Sequence, residues 1–435
     1  MENGSRSSEA ALTASRSRAS SVKSRRSISS KNSSFRLPIN GDDEQILEQD
    51  KAKADAISEA CQLRNINQLK ELAVSRGGFL SDRLRRQAWP VLLGIEPESN
   101  DVIVVDKSMS SSPVGDGLWK EMPRHRDEDQ VQLDVNRAFI YYPNIEDPTD
   151  MEHQKAELSA LIVEVLRTNP YLCYFQGYHD ICQVFLLVLS PSQRAAIVAR
   201  LSVLRIRDFM LPNLAPAIAQ LRLLPEILHA ADPSLCHHLS QTEPFFALSG
   251  TLTMYAHDVQ TLGEIARLFD ALLAREPVFS VYVFAAIVMS RRAELFDTPP
   301  DEPEMLHSIL SKLPQPLDLD DLLARAVVLS ENHPPETLPN WRRGISPNSV
   351  LKTARDSASC ARQTLDQGRQ FFERQVRELE WDEKREKALA VLWAYRKPAR
   401  TIGFAVAFGV LAFWLRRSPG PLAYIASMSN RWLRD

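Results

Sequence analysis

The stretch Val278–Met289, with the sequence Val-Phe-Ser-Val-Tyr-Val-Phe-Ala-Ala-Ile-Val-Met, is almost wholly apolar. It follows Pro277, a residue type at which helices start or stop. An apolar segment with no polar face is expected of a helix that is buried on all sides of a large bundle. The stretch therefore predicts a large helical domain built around it.

Helical spacing continues towards the N-terminus. Apolar residues recur three and four positions apart in residues 161–166 and 265–273. No series of alternating strands appears, and only residues 102–105 (Val-Ile-Val-Val) have the composition of a short strand. We therefore predict an all-α, multi-helix domain over residues 42–340. Prolines fall between its apolar runs, at Pro143, Pro170, Pro212, Pro225, Pro244 and Pro277.

Composition narrows the class of protein. The 435 residues are 44% hydrophobic, enough for a sizeable core, and carry a formal net charge of −3. This charge argues against a general nucleic-acid binder, whose affinity rests on excess Lys and Arg. The five cysteines form no CxxC pair, so neither a disulfide framework nor a metal site is predicted, and a reducing compartment is favoured.

The two ends of the chain differ from its middle. Residues 1–41 are rich in Ser and Arg and poor in large apolar residues, so we predict a disordered tail. Residues 341–397 are charged and helical in pattern, which fits either a solvated stalk or a helix docked on the main domain. Residues 398–417 contain an uncharged run bracketed by arginines, so we predict a transmembrane segment, followed by a C-terminal tail at 418–435.

Two short polar motifs lie about forty residues apart. In the first, Val131–Arg137 (VQLDVNR), a helix would place Asp134 and Arg137 on one face, where the carboxylate can hold the guanidinium. In the second, Tyr174–Asp180 (YFQGYHD), Gln176 lies in a loop after Pro170 and before an apolar run. Taken singly, the motifs fit an ordinary surface ion pair and a turn glutamine that caps a helix.

An arginine and a glutamine together are the side chains that GTP hydrolysis requires. The glutamine orients the attacking water, and the arginine, inserted in trans, stabilises the charge that develops on the phosphate oxygens. In Ras-type systems the arginine contributes roughly 10³ to 10⁵ in rate. Lysine would be a poor substitute because it lacks the planar fork of donors.

Three motifs in order resemble the TBC family of Rab GTPase-activating proteins. They are Arg85-Arg86-Gln87-Ala88-Trp89, the DxxR segment with Val131 at the family's isoleucine position, and Tyr174-Phe175-Gln176. The resemblance covers roughly residues 69–289 and implies an all-helical domain whose catalytic fingers are Arg137 and Gln176. It also implies that Arg85 and Trp89 are mainly structural, and that four further residues support the site or face the Rab: Asp134, Tyr174, Gly177 and Tyr178.

A narrower resemblance involves residues 125–137, residues 169–181 and the hydrophobic C-terminal segment. These are similar to a membrane-anchored TBC subfamily of the endoplasmic reticulum that acts on Rabs of early secretory traffic. The resemblance implies contact with the lipid bilayer through the C-terminal helix and a catalytic domain that faces the cytosol. No GxxxxGK[ST] loop is present, so GTP and Mg²⁺ are expected to arrive with the GTPase and no cofactor of its own is expected.

Two other classes of function stay open at this point. One is a catalytically silent, membrane-anchored scaffold that binds a Rab and recruits partners. The other is a membrane-tethered helical adaptor unrelated to GTPases, for which Arg137 has no special role. Geometry distinguishes the adaptor, because catalysis requires Arg137 and Gln176 to be exposed and to converge on one groove.

Overall fold

The computed structural model describes residues 41–95, 117–417 and 420. Within these residues every regular element is a helix and no strand is present, which confirms the predicted all-α class. The hydrophobic core runs from Ile57 to Phe372 and lies within residues 49–435. The predicted disordered tail, the short strand at 102–105 and the C-terminal tail lie outside the described residues, apart from Gly41 and Gly420.

Twenty α-helices are described. The first ten are α1 (Gly41–Gln62), α2 (Ile66–Val74), α3 (Asp82–Leu92), α4 (Glu128–Val135), α5 (Pro148–Thr168), α6 (Tyr178–Val188), α7 (Pro191–Leu204), α8 (Ala215–Leu221), α9 (Leu223–Ala231) and α10 (Pro233–His238). The others are α11 (Leu248–Leu252), α12 (Leu262–Ala274), α13 (Phe279–Ser290), α14 (Arg292–Phe296), α15 (Pro303–Leu310), α16 (Leu319–Asn332), α17 (Pro339–Arg343), α18 (Val350–Thr353), α19 (Ser357–Arg362) and α20 (Leu365–Arg417). Short 3₁₀ helices occur at Leu118–Glu121, Arg207–Phe209, Pro244–Ala247 and Pro335–Thr337.

Helix α13 occupies the centre of the bundle. It is the helix predicted at Val278–Met289, and its residues from Val281 to Val288 are all buried. Helices α9, α11 and α16 pack around it, so no side of it is left for a polar face. The tyrosine hydroxyl within this apolar helix is satisfied, because Tyr282 Oη donates to the carbonyl of His333 at 2.6 Å.

A second layer of helices carries the two polar motifs. Helix α5 packs against α4, α6 and α7, so it joins the segment that precedes Arg137 to the segment that follows Gln176. One face of α5 supplies the apolar contacts, through Leu158, Ile162, Val165 and Leu166. Since both motifs pack on one long helix, their backbones are fixed relative to each other.

The long helix α20 has two parts with different surroundings. Its N-terminal part packs against α7, where Phe372 and Gln375 are buried. Beyond Leu379 its described side chains are exposed. Of the two alternatives left open for residues 341–397, docking on the main domain therefore applies up to Leu379, and a solvated helix applies to the residues that follow.

The C-terminal part of α20 contains the predicted transmembrane segment at 398–417. None of the helices that the structure describes is both long enough and apolar enough to cross a bilayer. The uncharged run between Arg400 and Arg416 is shorter than the about 17 residues that a spanning helix needs at minimum. The transmembrane prediction is therefore not confirmed.

Candidate functional site

A wide groove contains both predicted fingers. Its volume is about 860 Å³, and its walls come from three places: the segment after α4, the loop before α6, and residues 209–214 with 245–257. Arg137 and Gln176 both line it. The structure thus brings the two motifs together, as catalysis on one phosphate would require.

Arg137 follows α4 and points into solvent from a buried anchor. Its side chain is 61% exposed, whereas the side chain of Asp134 is fully buried and forms the predicted ion pair with the guanidinium. Two more donors hold the carboxylate of Asp134: Tyr174 Oη at 2.9 Å and Gln130 Nε2 at 3.2 Å. The carboxylate is therefore immobilised by the protein, and the guanidinium keeps donors free for a partner.

Gln176 lies at the tip of a loop that is fixed by its backbone. The amide of Cys173 donates to the carbonyl of Met210 at 2.8 Å, and the amide of Tyr174 donates to Asp127 Oδ2 at 2.9 Å. The Gln176 side chain itself is exposed and makes no hydrogen bond with the described part of the chain. A rigid loop thus presents a free amide, which is both donor and acceptor.

Gly177 makes the sharp turn between Gln176 and α6. Its φ is +97°, a left-handed conformation that favours glycine. A Cβ atom placed there would lie 2.6 Å from Cγ2 of Thr253, so a larger residue would also collide with the opposite wall. The structure therefore gives Gly177 a backbone role beside the finger.

Two tyrosines lie beneath the fingers. Tyr174 joins the motifs, because its hydroxyl donates to Asp134 and lies 3.4 Å from Nδ1 of His179. Burial raises the pKa of Tyr174, so the hydroxyl keeps its proton and remains a donor. Tyr178 is fully buried, with its hydroxyl 2.6 Å from Oγ of Ser202, and does not line the groove. Its place is therefore under the site.

Arg85 and Trp89 lie in the core and do not line the groove. Both bind the carboxylate of Asp270, through Arg85 Nε at 3.0 Å and Trp89 Nε1 at 2.9 Å. The amide of Phe79 donates to the same carboxylate at 3.0 Å. The cluster ties α3 to α12, which agrees with the mainly structural role expected of the Arg–Trp motif.

Sequence reasoning missed several polar residues of the groove and core. Asp180 binds two histidines: Nε2 of His179 at 3.2 Å and Nδ1 of His257 at 3.0 Å. The hydrogen bond that His257 donates to Asp180 raises the pKa of His257, while burial lowers the pKa of His179. The His-Asp pair was visible in the second motif, but no signal indicated His257 because it is distant in sequence. Among the described residues, no group of His, Cys, Asp and Glu is placed to hold a metal ion.

Exposed apolar side chains surround the fingers. Ile140 and Tyr141 lie on the side of Arg137, and Leu214 and Phe245 lie on the opposite wall. Exposed apolar groups that rim a polar site are typical of a protein-binding surface rather than a small-molecule pocket. Sequence periodicity gave no sign of them, since three of them belong to irregular segments between helices and Phe245 lies in the short 3₁₀ helix Pro244–Ala247.

Comparisons with known proteins identify the family to which this chain belongs. The Rab-GTPase-TBC domain model matches residues 82–296. GTPase-activating protein gyp10 of Schizosaccharomyces pombe is 31% identical over 296 residues, which cover 67% of this chain and 76% of that protein. The chain belongs to the Rab-GTPase-TBC domain family. TBC1 domain family member 20 of Bos taurus is 33% identical, covering 66% of this chain and 68% of that protein. The flagellar RabGAP TBC domain of Chlamydomonas superposes with a TM-score of 0.46 at 15% identity, covering 67% of this chain and 97% of that chain.

The family model and the two relatives confirm the predicted TBC family, and the described helices confirm its all-helical fold. All three motifs that suggested the family fall inside the matched range, 82–296. Within the TBC domain, the catalytic roles of Arg137 and Gln176 stay predictions. The narrower subfamily, its location in the endoplasmic reticulum and its contact with a bilayer stay predictions as well.

Proposed function

We propose that this chain is a Rab GTPase-activating protein that acts with two fingers, Arg137 and Gln176. The observation that carries the proposal is their convergence: both side chains are exposed on one groove, and the arginine is held by a fully buried carboxylate. Family membership supports the general activity, and the groove geometry supports the choice of residues. A helical adaptor unrelated to GTPases would not require an exposed arginine and an exposed glutamine on one groove.

In this mechanism Arg137 supplies positive charge to the active site of the partner. As the γ-phosphate of GTP leaves, charge spreads over its oxygens, and a planar guanidinium can bind two of them at once. Asp134 is fully buried, so it cannot follow the guanidinium outward and acts as the fixed pivot. Because the pivot is set before the partner arrives, little ordering entropy is lost on insertion.

Gln176 performs the second task, orienting water. Its amide oxygen can accept a hydrogen bond from the attacking water, and its amide nitrogen can donate to a phosphate oxygen. A free amide on a rigid loop suits this role, because its groups are not already used within the chain. GTP and Mg²⁺ are proposed to arrive with the GTPase, and the TBC domain supplies no cofactor.

The apolar rim is proposed to bind the protein surface of the GTPase around its nucleotide. Ile140, Tyr141, Leu214 and Phe245 offer the aromatic and aliphatic contacts that dominate protein interfaces. The groove is open rather than enclosed, so a polypeptide partner can place a bound nucleotide between the two fingers.

Association with the endoplasmic reticulum and a role in early secretory traffic are proposed on the narrower resemblance and on the similarity to TBC1 domain family member 20. In α20 the side chains of Phe404, Phe408 and Trp414 are exposed and apolar, and we propose that they contact the bilayer. Fractionation of cells expressing the full chain, or a variant truncated after residue 397, tests this. Recovery of both proteins in the soluble fraction would reject it.

The activity is tested by phosphate release from a panel of GTP-loaded Rab GTPases with the full-length chain. We expect acceleration on one or a few of them, reduced by roughly 10³ to 10⁵ in Arg137→Ala and also strongly reduced in Gln176→Ala. Arg124→Ala is the matched control, because Arg124 is also 61% exposed and paired with an aspartate but lies outside the groove. Gln132→Ala, in the exposed face of α4, is the control for the glutamine.

Two results would overturn the two-finger mechanism. One is full activity in either finger variant. The other is a folded wild-type chain that binds GTP-loaded Rabs without accelerating any of them, which would establish the silent scaffold instead. Circular dichroism on every variant shows that a loss of activity is not a loss of fold.

A further inference from the structure

We infer that the docked part of α20, residues Leu365–Leu379, braces the loop that carries Gln176 and so acts as a positioning element for the reaction. The inference rests on the proposed function, because it assigns these residues to the placement of a catalytic glutamine. It concerns residues beyond the range matched by the TBC domain model, which ends at residue 296. Two separate routes of contact connect the helix with the loop.

The first route is a direct packing contact on Tyr171, which lies five residues before Gln176. The rings of Tyr171 and Phe372 meet edge to face, with centroids 5.1 Å apart. The guanidinium of Arg369 lies 5.5 Å from the centroid of the same tyrosine ring. One turn of α20 thus covers the beginning of the loop with an aromatic and a cationic contact.

The second route passes through the 3₁₀ helix Arg207–Phe209. The side-chain amide of Gln375 donates through Nε2 to Asp208 Oδ1 at 2.9 Å, and its Oε1 accepts from Arg207 Nε at 3.2 Å. Helix α20 is therefore hydrogen-bonded to both residues. Arg207 and Asp208 are almost completely buried, and buried polar groups of this kind hold their geometry closely. Gln375 therefore holds the 3₁₀ helix through two buried hydrogen bonds.

The 3₁₀ helix in turn holds the middle of the loop. Its next residue, Met210, accepts the hydrogen bond from the amide of Cys173 at 2.8 Å. The ring of Phe209 meets the ring of Phe175, the neighbour of Gln176, with centroids 6.2 Å apart. Both routes therefore end on residues within a few positions of the finger.

This arrangement matters because the Gln176 side chain has no hydrogen bond with the rest of the described chain to hold it. Its position depends on the backbone, and the hydrogen bond from the Cys173 amide to Met210 is one of several that tie the loop to other segments. The others include the bond from the Tyr174 amide to Asp127, and those from His125 and Arg126 to the carbonyl of Leu172. A displacement of about 1 Å in a catalytic group can reduce the rate by about 10². Undocking α20 should therefore reduce kcat with little change in KM.

One glycine offers a direct means of undocking the helix. A Cβ atom on Gly368 would collide with the side chains of Val203 and Leu204 on α7, so Gly368→Ala should force α20 outward. Gly403 lies in the same helix with nothing within 4 Å of its Cβ position. The change Gly403→Ala is the matched control, and on helix propensity alone it should be neutral or stabilising.

The experiment measures hydrogen exchange and GTPase stimulation on the full-length chain. In Gly368→Ala we expect the amides of residues 172–177 to exchange about tenfold faster than in the wild type, with kcat reduced about tenfold or more and KM nearly unchanged. In a Gln176→Ala background, Gly368→Ala should reduce the rate no further, because the position of the finger no longer matters. Gly403→Ala should behave as the wild type in every measurement.

Arg369→Ala is a second variant that weakens the docking of α20, and it can be measured if Gly368→Ala fails to fold. Arg369 is exposed, so its loss removes the contact on Tyr171 without opening the core, and exposed Arg377 further along α20 is its control. Faster exchange at 365–379 with unchanged exchange at 172–177 would overturn the inference. If the wild type stimulates no GTPase, the proposed function is rejected. The exchange measurements then still show whether α20 holds the loop in place.

Discussion

Two arginine–aspartate ion pairs in this chain have the same chemistry but different roles, one in the core and one at the groove. In both pairs the carboxylate is fully buried: Asp270 binds Arg85, and Asp134 binds Arg137. The arginines differ, because the side chain of Arg85 is 8% exposed and that of Arg137 is 61% exposed. The first pair closes on itself inside the core, whereas the second presents its cation to the groove.

The surroundings of each carboxylate explain the difference. Asp270 takes all its donors from inside the core, so its cluster joins helices and has nothing to offer a partner. Asp134 is held by Tyr174 and Gln130 as well, so it stays in place when the guanidinium moves. Exposure of the base over a buried acid therefore distinguishes the Asp134–Arg137 pair from the Asp270–Arg85 pair.

The largest effect on stability is expected from Arg85→Ala. Its loss leaves Asp270 buried with an uncompensated charge, and breaking a buried pair in this way costs about 3–5 kcal/mol. Urea unfolding followed by circular dichroism measures the change. Arg83→Ala is the control, because Arg83 lies exposed on the same helix and should change the unfolding free energy by less than about 0.5 kcal/mol. Equal stability of the two variants would show that the Asp270 cluster is not structural.

An intermediate effect is expected from Asp134→Ala. The change leaves the half-buried hydroxyl of Tyr174 without its acceptor, at a cost of about 1–3 kcal/mol, whereas the exposed side chain of Gln130 can bond to water instead. It also removes the pivot of Arg137, so GTPase stimulation should fall even where the protein is folded. The same urea titration and phosphate-release assay apply. Full activity in a destabilised protein would mean that the pivot does not matter for catalysis.

The sequence predicted what depends on local spacing. The apolar pattern of Val278–Met289 located the central helix, and the three-residue spacing of Asp134 and Arg137 predicted their ion pair. The positive φ of Gly177 follows from the same logic, since glycine next to a functional loop residue favours a tight turn. Each of these features is determined by residues that are close together in the chain, so it can be predicted from a single sequence.

Partners distant in sequence could not be predicted in this way. Asp270 lies 185 positions from Arg85 and His257 lies 77 positions from Asp180, and nothing in either local pattern names the other member. The docking of α20 was left open for the same reason, because its apolar stripe is only partial and the contact with Tyr171 is tertiary. The packing of the whole bundle determines which helix surfaces come into contact, and the apolar periodicity of the sequence does not reveal these contacts.

Arg137→Ala should lower stability much less than Arg85→Ala, which sharpens the contrast with Arg85. The buried carboxylate of Asp134 keeps its hydrogen bonds from Tyr174 and Gln130, and the guanidinium that is lost was mostly exposed. The free energy of unfolding should therefore fall by about 1 kcal/mol or less. Thermal and urea unfolding of the full-length variant check this. A loss comparable to that of Arg85→Ala would mean that Arg137 neutralises Asp134 as a core pair, and the proposed role as a free finger would then fail.

The smallest effect concerns the half-exposed pair in the same groove, His257 and Asp180. The hydrogen bond that His257 donates to Asp180 raises the pKa of His257, the negative charge of Asp258 also raises it, and partial burial of His257 opposes both. A raised pKa means that the pair stabilises the fold fully below the ordinary histidine pKa of about 6.5 and loses this contribution as the pH rises through the raised value.

Asp180→Asn should therefore lower the pKa of His257 and flatten this part of the stability profile. His179 works in the opposite direction, because burial lowers its pKa and its protonation disfavours the fold in acid. NMR titration of the His257 ring protons in both proteins separates the two histidines. An unchanged His257 pKa in Asp180→Asn would show that the 3.0 Å contact does not persist in solution, and that the groove carries one aspartate-held cation rather than two.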